Sequence, residues 1–290
     1  MTDTLYIGDY TYSSWSLRGW LLFRRFGLQA KTVLVDFTAG SVAEQVAEIA
    51  PARTVPCARL SDGALVWDSL ALAEELASRH PGAGLWPADP ALRATARSLA
   101  AEMHASFDAL RGDCPMNLRA AYTGFQPSEA VRADLARVEA LWSWALEQSG
   151  GPWLCGDYSA VDAFYAPVAA RIAGYGLTVG PQAQAYVAAH LADPAFRRWR
   201  AMGLVRGAEL PWYARDLDRT DWPGPAPLAA QPVDTGPAVN AACPYSGDPV
   251  THFLSFEGSL YGFCNAFCRD KTAADPEAWP AFMALVQGTR

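Results

Sequence analysis

Two groups of residues in this chain have types and spacing that suit chemistry. Near the start, the run Tyr12-Ser13-Ser14-Trp15-Ser16-Leu17-Arg18 puts two hydroxyls between a short apolar strand pattern (5–8) and a helical pattern (15–27). A helix start exposes unpaired N–H groups and the positive end of the helix dipole. An anion there is stabilised, and a hydroxyl can add a hydrogen bond to it. Lowering a thiol pKa by two units from about 8.5 needs ~2.7 kcal/mol of preference for the thiolate. One charge-assisted hydrogen bond plus the helix end supplies roughly that amount. Near the other end, Cys243, Cys264 and Cys268 follow the spacing C-x20-C-x3-C. Soft thiolates this close together suit zinc or copper(I).

Taken alone, Ser13 or Ser14 reads equally well as a helix N-cap. Two further pieces add to the pattern. In Thr54-Val55-Pro56-Cys57 a proline precedes a strand, so the X-Pro bond is a candidate cis bond that would turn the Val55 backbone outward to pair with an extended peptide. Asp68-Ser69 opens the next helix, where the N–H groups and the serine hydroxyl can hold a carboxylate and Asp68 an ammonium. That corner fits an amino acid's α-amino and α-carboxylate pair. The plainer alternatives are a turn at Pro56 and a cap at Asp68-Ser69.

The elements that must position these residues read as follows. Residues 1–85 run β-α-β-α-β-β-α. Strand patterns lie at 5–8 and 32–37, helices at 15–27, 43–50 and 69–80, and a hairpin over 57–67 turns at Asp62-Gly63. This is a small α/β sandwich. Residues 88–215 carry no convincing strand and form a helical domain. It includes an Asp89-Pro90 helix start, a Ser159/Asp162 capping box and a last helix starting at Asp193-Pro194. Residues 216–241 are rich in Pro, Ala and Gly and read as an extended linker. Residues 242–290 are a Cys-rich ββα module, with a hairpin turning at Glu257-Gly258 that carries Cys243 back toward Cys264 and Cys268. So small a module needs a metal staple or docking on the main body. For a fourth metal ligand His252 comes first, then Asp248, then water or an exogenous thiol.

Together these motifs resemble the glutathione transferase superfamily. The carriers are YSSWSLR, TVP, VWDSLA and the later SAVD, and the resemblance covers residues 4 to about 210. The S-S-x-S-x-R start is similar to the serine-type members, the zeta class especially. The resemblance implies a thioredoxin-like N-terminal domain, glutathione as co-substrate and a homodimer. Ser13 matches the serine that bonds the glutathione sulfur, with Ser14 the next candidate. Val55 before Pro56 would pair with the cysteinyl part, and Asp68 and Ser69 would hold the γ-glutamyl end. Thr54 stands where relatives often carry Lys or Gln, so Arg53 is assigned the glycyl carboxylate. The zeta motif has Cys where this chain has Trp15, a departure that weighs against maleylacetoacetate isomerase activity. The second-substrate pocket would draw on Tyr10, Tyr12, Trp15, His104, Phe107, Met116, Asn117 and Arg119, whose aromatic character fits a small apolar electrophile. The tail resembles YHS/TRASH-type metal-binding modules over 243–280, which implies that Cys243, Cys264, Cys268 and His252 hold a metal.

Composition narrows the classes. Of 290 residues, 51% are apolar and the net charge is −7, so a folded protein without a nucleic-acid footprint is expected. No apolar run approaches a membrane span, and the N-terminus lacks signal-peptide regions, so a cytoplasmic location with reduced thiols is expected. Cys57, Cys114 and Cys155 read as buried bystanders. The leading expectation is a glutathione-dependent transferase, with isomerisation or thiol exchange as variants. The alternative is a non-catalytic scaffold that senses or handles metal.

Overall fold

In the computed structural model, which describes residues 2–288, the N-terminal elements follow the expected order. They are β1 (Thr4–Ile7), α1 (Ser14–Arg24), β2 (Lys31–Leu34), α2 (Val42–Gln45), β3 (Cys57–Arg59), β4 (Leu65–Trp67) and α3 (Ser69–Arg79). The sheet order is β2-β1-β3-β4. β1 and β2 run parallel across the α1 crossover, β3 pairs antiparallel with β1, and β4 closes the sheet antiparallel to β3. Leu5, Tyr6 and Ile7 are all buried, as expected of a central strand covered on both faces. This is the thioredoxin-like sandwich. The Val55–Pro56 bond is cis, as expected from its place before β3.

The helical part holds α4 (Pro90–Ala105), α5 (Asp108–Asp113), α6 (Glu129–Ser149), α7 (Ala160–Gly174) and α8 (Pro181–Ala192). Asp89 caps α4 by accepting from the N–H groups of Ala91 and Leu92. The Ser159/Asp162 capping box opens α7, a helix buried on nearly every side. Asp162 also accepts from Leu154 N–H and the Tyr186 hydroxyl, tying the loop before α7 to α8. One expectation fails here: β5 (Ala121–Tyr122) is a two-residue strand within 88–215. Its partner β6 (Arg219–Thr220) lies in the expected linker. Two residues leave no alternation to read, so neither strand is visible as a pattern.

The chain divides into two compact units. One comprises Met1–Leu191 with Leu210–Pro223; the other comprises Ala192–Glu209 with Gly224–Arg290. The second unit holds α9 (Pro194–Val205), β7 (Ala230–Val233), β8 (His252–Phe256), β9 (Ser259–Phe263), α10 (Ala266–Ala274) and α11 (Pro280–Gly288). Helix α9 was expected in the helical domain. It belongs instead with the tail, because Arg197 forms a two-pronged pair with Asp275 at 2.8 and 2.7 Å and also reaches Glu277. The linker contributes β7, the third strand of a sheet ordered β7-β8-β9. The hairpin turns at Glu257-Gly258 as expected, both residues having positive φ. Phe282 fills the core of this unit against Phe256, Tyr261 and Phe263. Among the described residues no helix is long and apolar enough to cross a membrane.

In the first unit His190 is buried within an aromatic cage of Trp153 and Tyr186, and its Nε2 has no hydrogen-bond partner. Burial pushes its pKa from 6.5 down to about 3. The unfolded chain therefore binds more protons between those values. Stability is full above pH 6.5 and is lost as the pH falls toward 3. By about pH 4.5 the loss is on the order of 3 kcal/mol. His190→Phe should flatten this acid limb in urea titrations at pH 4.5 and 7, taken as roughly the ends of the accessible range. An unchanged limb would show that the imidazole titrates normally in the fold.

Candidate functional site

The loop into α1 is pinned before any ligand arrives. Asp9 Oδ1 accepts from Thr11 N–H, Thr11 Oγ1 and Tyr12 N–H, and the Ser13 N–H bonds the Asp9 carbonyl. Ser13 is the N-cap of α1. Its Oγ accepts from Ser16 N–H at 3.4 Å and donates to Ser16 Oγ at 2.8 Å, while Ser16 Oγ accepts from Gly8 N–H. Ser14, one residue on, accepts from Arg171 Nη2 at 3.3 Å. Helix α1 also passes close to the cis proline. A Cβ on Gly19 would stand 2.6 Å from Pro56 Cβ, so only glycine allows this approach.

Around these serines lies a cavity of about 660 Å³, within the usual range for small-molecule sites. Ser13, Ser14, Arg53, Thr54, Val55, Pro56, Asp68 and Ser69 all line it. Asp68 has φ 77° and caps α3 by accepting from Leu70 N–H, and its other carboxylate oxygen faces His104 Nε2 at 3.2 Å. Ser69 Oγ is buried with no hydrogen-bond partner among the described residues. Of the expected second-substrate residues, Tyr12, Trp15 and Met116 line the cavity. Tyr10, His104, Phe107, Asn117 and Arg119 do not. Tyr10 and Phe107 are core residues. Asn117 donates to the Tyr122 hydroxyl and accepts from Arg119 N–H. His104 is taken up by Asp68 and an edge contact with Trp15.

The cavity also has walls that the sequence motifs did not reveal: Phe37, Val42, Arg111, Pro115, Arg171 and Tyr213. Tyr213 stacks on Tyr12 with ring centroids 4.8 Å apart. Arg171, on α7, is 5% exposed and gives its three bonds to neutral acceptors: the Cys114 and Pro167 carbonyls and Ser14 Oγ. Arg18 is wholly buried against the rings of Trp15 and Phe164, with Nε and Nη1 unpartnered. Arg111 lies 4.8 Å from the Trp15 ring centroid. Burial, then the neighbouring Arg171 and Arg111, push Arg18 down to about 9. Burial, then Arg111, push Arg171 down to about 10. Both stay charged at neutral pH. The periodicity of α7 (all apolar neighbours around one arginine) was the available signal for Arg171.

A second candidate site lies in the second unit. The Sγ atoms of Cys243, Cys264 and Cys268 lie within 4.8 Å of one another. Burial raises the Cys243 thiol pKa, but backbone N–H groups of Cys264, Tyr245 and Ser246 outweigh it and bring the thiol down. Ser246 Oγ and Asn265 Nδ2 both donate to Cys264 Sγ. Hydrogen-bond donors turned toward sulfur suit thiolates, the form that binds soft metals. His252, expected as the fourth ligand, stands apart. It opens β8 opposite Phe263, and its Nδ1 bonds Thr251 Oγ1. Asp248 is also outside the cluster, its backbone serving the turn that begins at Cys243. The residues present thus fit a three-thiolate ion site.

Comparison with known proteins bears on the N-terminal domain and the overall fold. Residues 12–79 match the family described as Glutathione S-transferase, N-terminal domain. A probable maleylacetoacetate isomerase of Caenorhabditis elegans is 30% identical over 148 residues, covering 50% of this chain and 66% of that protein. The match therefore spans just under two thirds of that relative's length. A glutathione transferase homolog from Burkholderia, solved with bound glutathione, aligns with TM-score 0.53 and 23% identity over 68% of this chain and 95% of its own. Glutathione transferase Omega 3C from Trametes versicolor aligns with TM-score 0.52 and 20% identity over 69% of this chain and 88% of its own. Ure2p in complex with glutathione aligns with TM-score 0.54 and 18% identity, over 68% and 98%. These likenesses establish a glutathione transferase fold and, with the family match, support the superfamily.

The two sets of thiols differ in a way that can be measured. Burial pushes Cys57, Cys114 and Cys155 up to about 12, whereas Cys264 is only half-buried. With chelator present, Ellman's reagent should modify Cys264 first, and these three only after denaturation. Early modification of any of the three would contradict their burial.

Proposed function

We propose that the chain is a glutathione-dependent transferase in which Ser14 holds the tripeptide's thiolate. The supporting observation is the hydrogen-bond pattern of the paired serines. Ser13 already donates its proton to Ser16, whereas Ser14 accepts from Arg171 and so keeps its O–H free to donate. A hydroxyl whose lone pair is bound by a guanidinium is a stronger donor to an anion than a free one. This reading prefers Ser14 where the motif alone favours Ser13.

Glutathione is extended along the cavity. Its γ-glutamyl ammonium meets Asp68, and its carboxylate takes the N–H groups of α3 and the unpartnered Ser69 hydroxyl. The Val55 backbone pairs with the cysteinyl residue in the manner of an added strand, and Arg53 receives the glycyl carboxylate. Thr54 borders this track. The thiol proton leaves to solvent. Ser14, the α1 N-terminus and the nearby guanidinium groups stabilise the sulfur anion, which attacks an electrophilic carbon. With a leaving group the product is a conjugate. With a conjugated double bond, addition followed by elimination gives isomerisation, the class named by the Caenorhabditis elegans relative. Trp15, where the zeta motif carries Cys, favours the first outcome.

The second unit binds a soft metal ion through Cys243, Cys264 and Cys268, with the fourth position left to water or an added thiol. The short distances among the three sulfurs support this reading. Zinc or copper(I) bound there would supply a cross-link to a unit of few residues.

Calorimetric titration with glutathione, and pH titration of the bound thiolate's ultraviolet absorbance, test the transferase. Ser14→Ala should raise the bound thiol's pKa by ~1–2 units and cut turnover ~10–100-fold, with Ser13→Ala milder. Absence of binding heat would sink the reading. For the metal, Cys264→Ser should cut bound zinc about tenfold in elemental assay of the purified protein. Unchanged zinc would remove the site.

A further inference from the structure

In the run Cys264-Asn265-Ala266-Phe267-Cys268 an asparagine stands between two sulfurs. A helix start leaves its first N–H groups unpaired, and asparagine is among the best side chains for filling one. Asn265 does so as the N-cap of α10, where its Oδ1 accepts from Cys268 N–H at 2.8 Å. The rest of the amide then has no freedom. With the oxygen committed to an N–H, the flat group presents Nδ2 on its other side. That nitrogen lies 3.2 Å from Cys264 Sγ and donates to it. One planar side chain thus touches the backbone of one candidate ligand and the sulfur of another, and those two sulfurs are 4.0 Å apart.

The surroundings hold the same geometry. Thr251 Oγ1 donates to the Cys264 carbonyl, and Thr272 Oγ1 donates to the Cys268 carbonyl. From the turn that begins at Cys243, Ser246 Oγ donates to Cys264 Sγ at 3.4 Å. The Cys264 N–H in turn serves the Cys243 sulfur. A thiolate that accepts hydrogen bonds spreads its charge and repels its neighbours less, so three of them can share one ion. Helix capping explains only half of the asparagine. Aspartate caps a helix as well, and its charge suits the positive end of the dipole. What aspartate lacks is the N–H, and it would set a further anion against the thiolates. The choice of amide over carboxylate at 265 therefore concerns the sulfur.

We propose that Asn265 is a positioning residue of the three-thiolate site, fixing Cys264 against Cys268 through the cap and steadying the Cys264 thiolate through its N–H. This deepens the metal reading and rests on it. Asn265 is exposed, so replacing it leaves the core of the unit intact.

Three variants of the full chain separate the two roles of the amide. Asn265→Ala loses cap and donor, and Asn265→Asp loses the donor alone. Ser246→Ala loses the other side-chain donor to Cys264, away from the helix. Competition with a chromophoric chelator reads zinc affinity, and urea titration reads the stability of the zinc-free protein. Cobalt(II) in place of zinc supplies a sulfur-to-metal charge-transfer band, which moves to longer wavelength when a donor to sulfur is removed. We expect Asn265→Asp to keep the urea midpoint, to bind zinc ~10–100-fold more weakly and to shift the cobalt band to the red. Ser246→Ala should shift the band the same way and weaken zinc ~5-fold, so the test does not depend on one variant's folding. Asn265→Ala should weaken zinc and also lower the midpoint. Undiminished zinc affinity in Asn265→Asp overturns the proposal, because the cap alone would then account for the residue. So does a zinc loss with an unmoved cobalt band in both donor variants, since the sulfur would then not feel the amide. An unaltered protein that takes up neither ion removes the metal reading itself, and the proposal with it.

Discussion

A guanidinium that bonds a serine hydroxyl instead of a carboxylate is the interaction on which the first site depends. Arg171 could reach Ser14 only if α7 were buried at the centre of its unit and α1 began close beside it. Both conditions are met by local devices. The Asp162 box fixes where α7 begins, and Asp9 clasps the turn before α1. Had an acid stood beside Arg171, the pair would be neutral and Ser14 would be an ordinary capping-region hydroxyl. Left without one, the arginine lends its field to whatever lies in the cavity. Arg18 and Arg111 add to that field across a single tryptophan ring.

The second unit solves a different problem with few residues. Its hairpin is short and its core is centred on Phe282, so it draws on charge and on sulfur. Lys271 is nearly buried, with its ammonium 4.2 Å from the Tyr245 ring and 4.3 Å from Trp279. Cation–π contacts of this kind are worth about 0.5–2 kcal/mol each and need no acid nearby. The same lysine lies close enough to Cys268 to favour its thiolate, against burial that disfavours it. Aromatic rings, one ammonium and three sulfurs thus form one packed group.

Much of this was legible in the sequence where a local rule decides the outcome. The α1 start, the turn at Asp62-Gly63, the Ser159/Asp162 box, the Glu257-Gly258 hairpin and the convergence of three cysteines each follow from a few adjacent residues or a spacing. The cavity residues Val55 and Pro56, with Asp68 and Ser69, followed from the same kind of local pattern, whereas Arg53 and Thr54 came only from the family resemblance. What could not be read depended on tertiary partners. Arg171 and Arg111 are ordinary helix residues until α5 and α7 bring them to one wall. His252 satisfied a compositional rule for metal ligands, but strand pairing turned it to Thr251. Tyr10 and Phe107 looked like pocket aromatics and became core, because burial is decided by layers that no short window reveals. The strands β5 and β6 were too brief to leave a pattern.

Helix α9 carries a wider consequence. Its bidentate pairing with Asp275 means that the cysteine-bearing unit is assembled from two stretches separated by residues 210–223. The chain enters that unit, leaves it and returns. A cut anywhere within 210–223 therefore leaves Arg197 and Asp275 on separate pieces, so neither fragment keeps both halves of that ion pair.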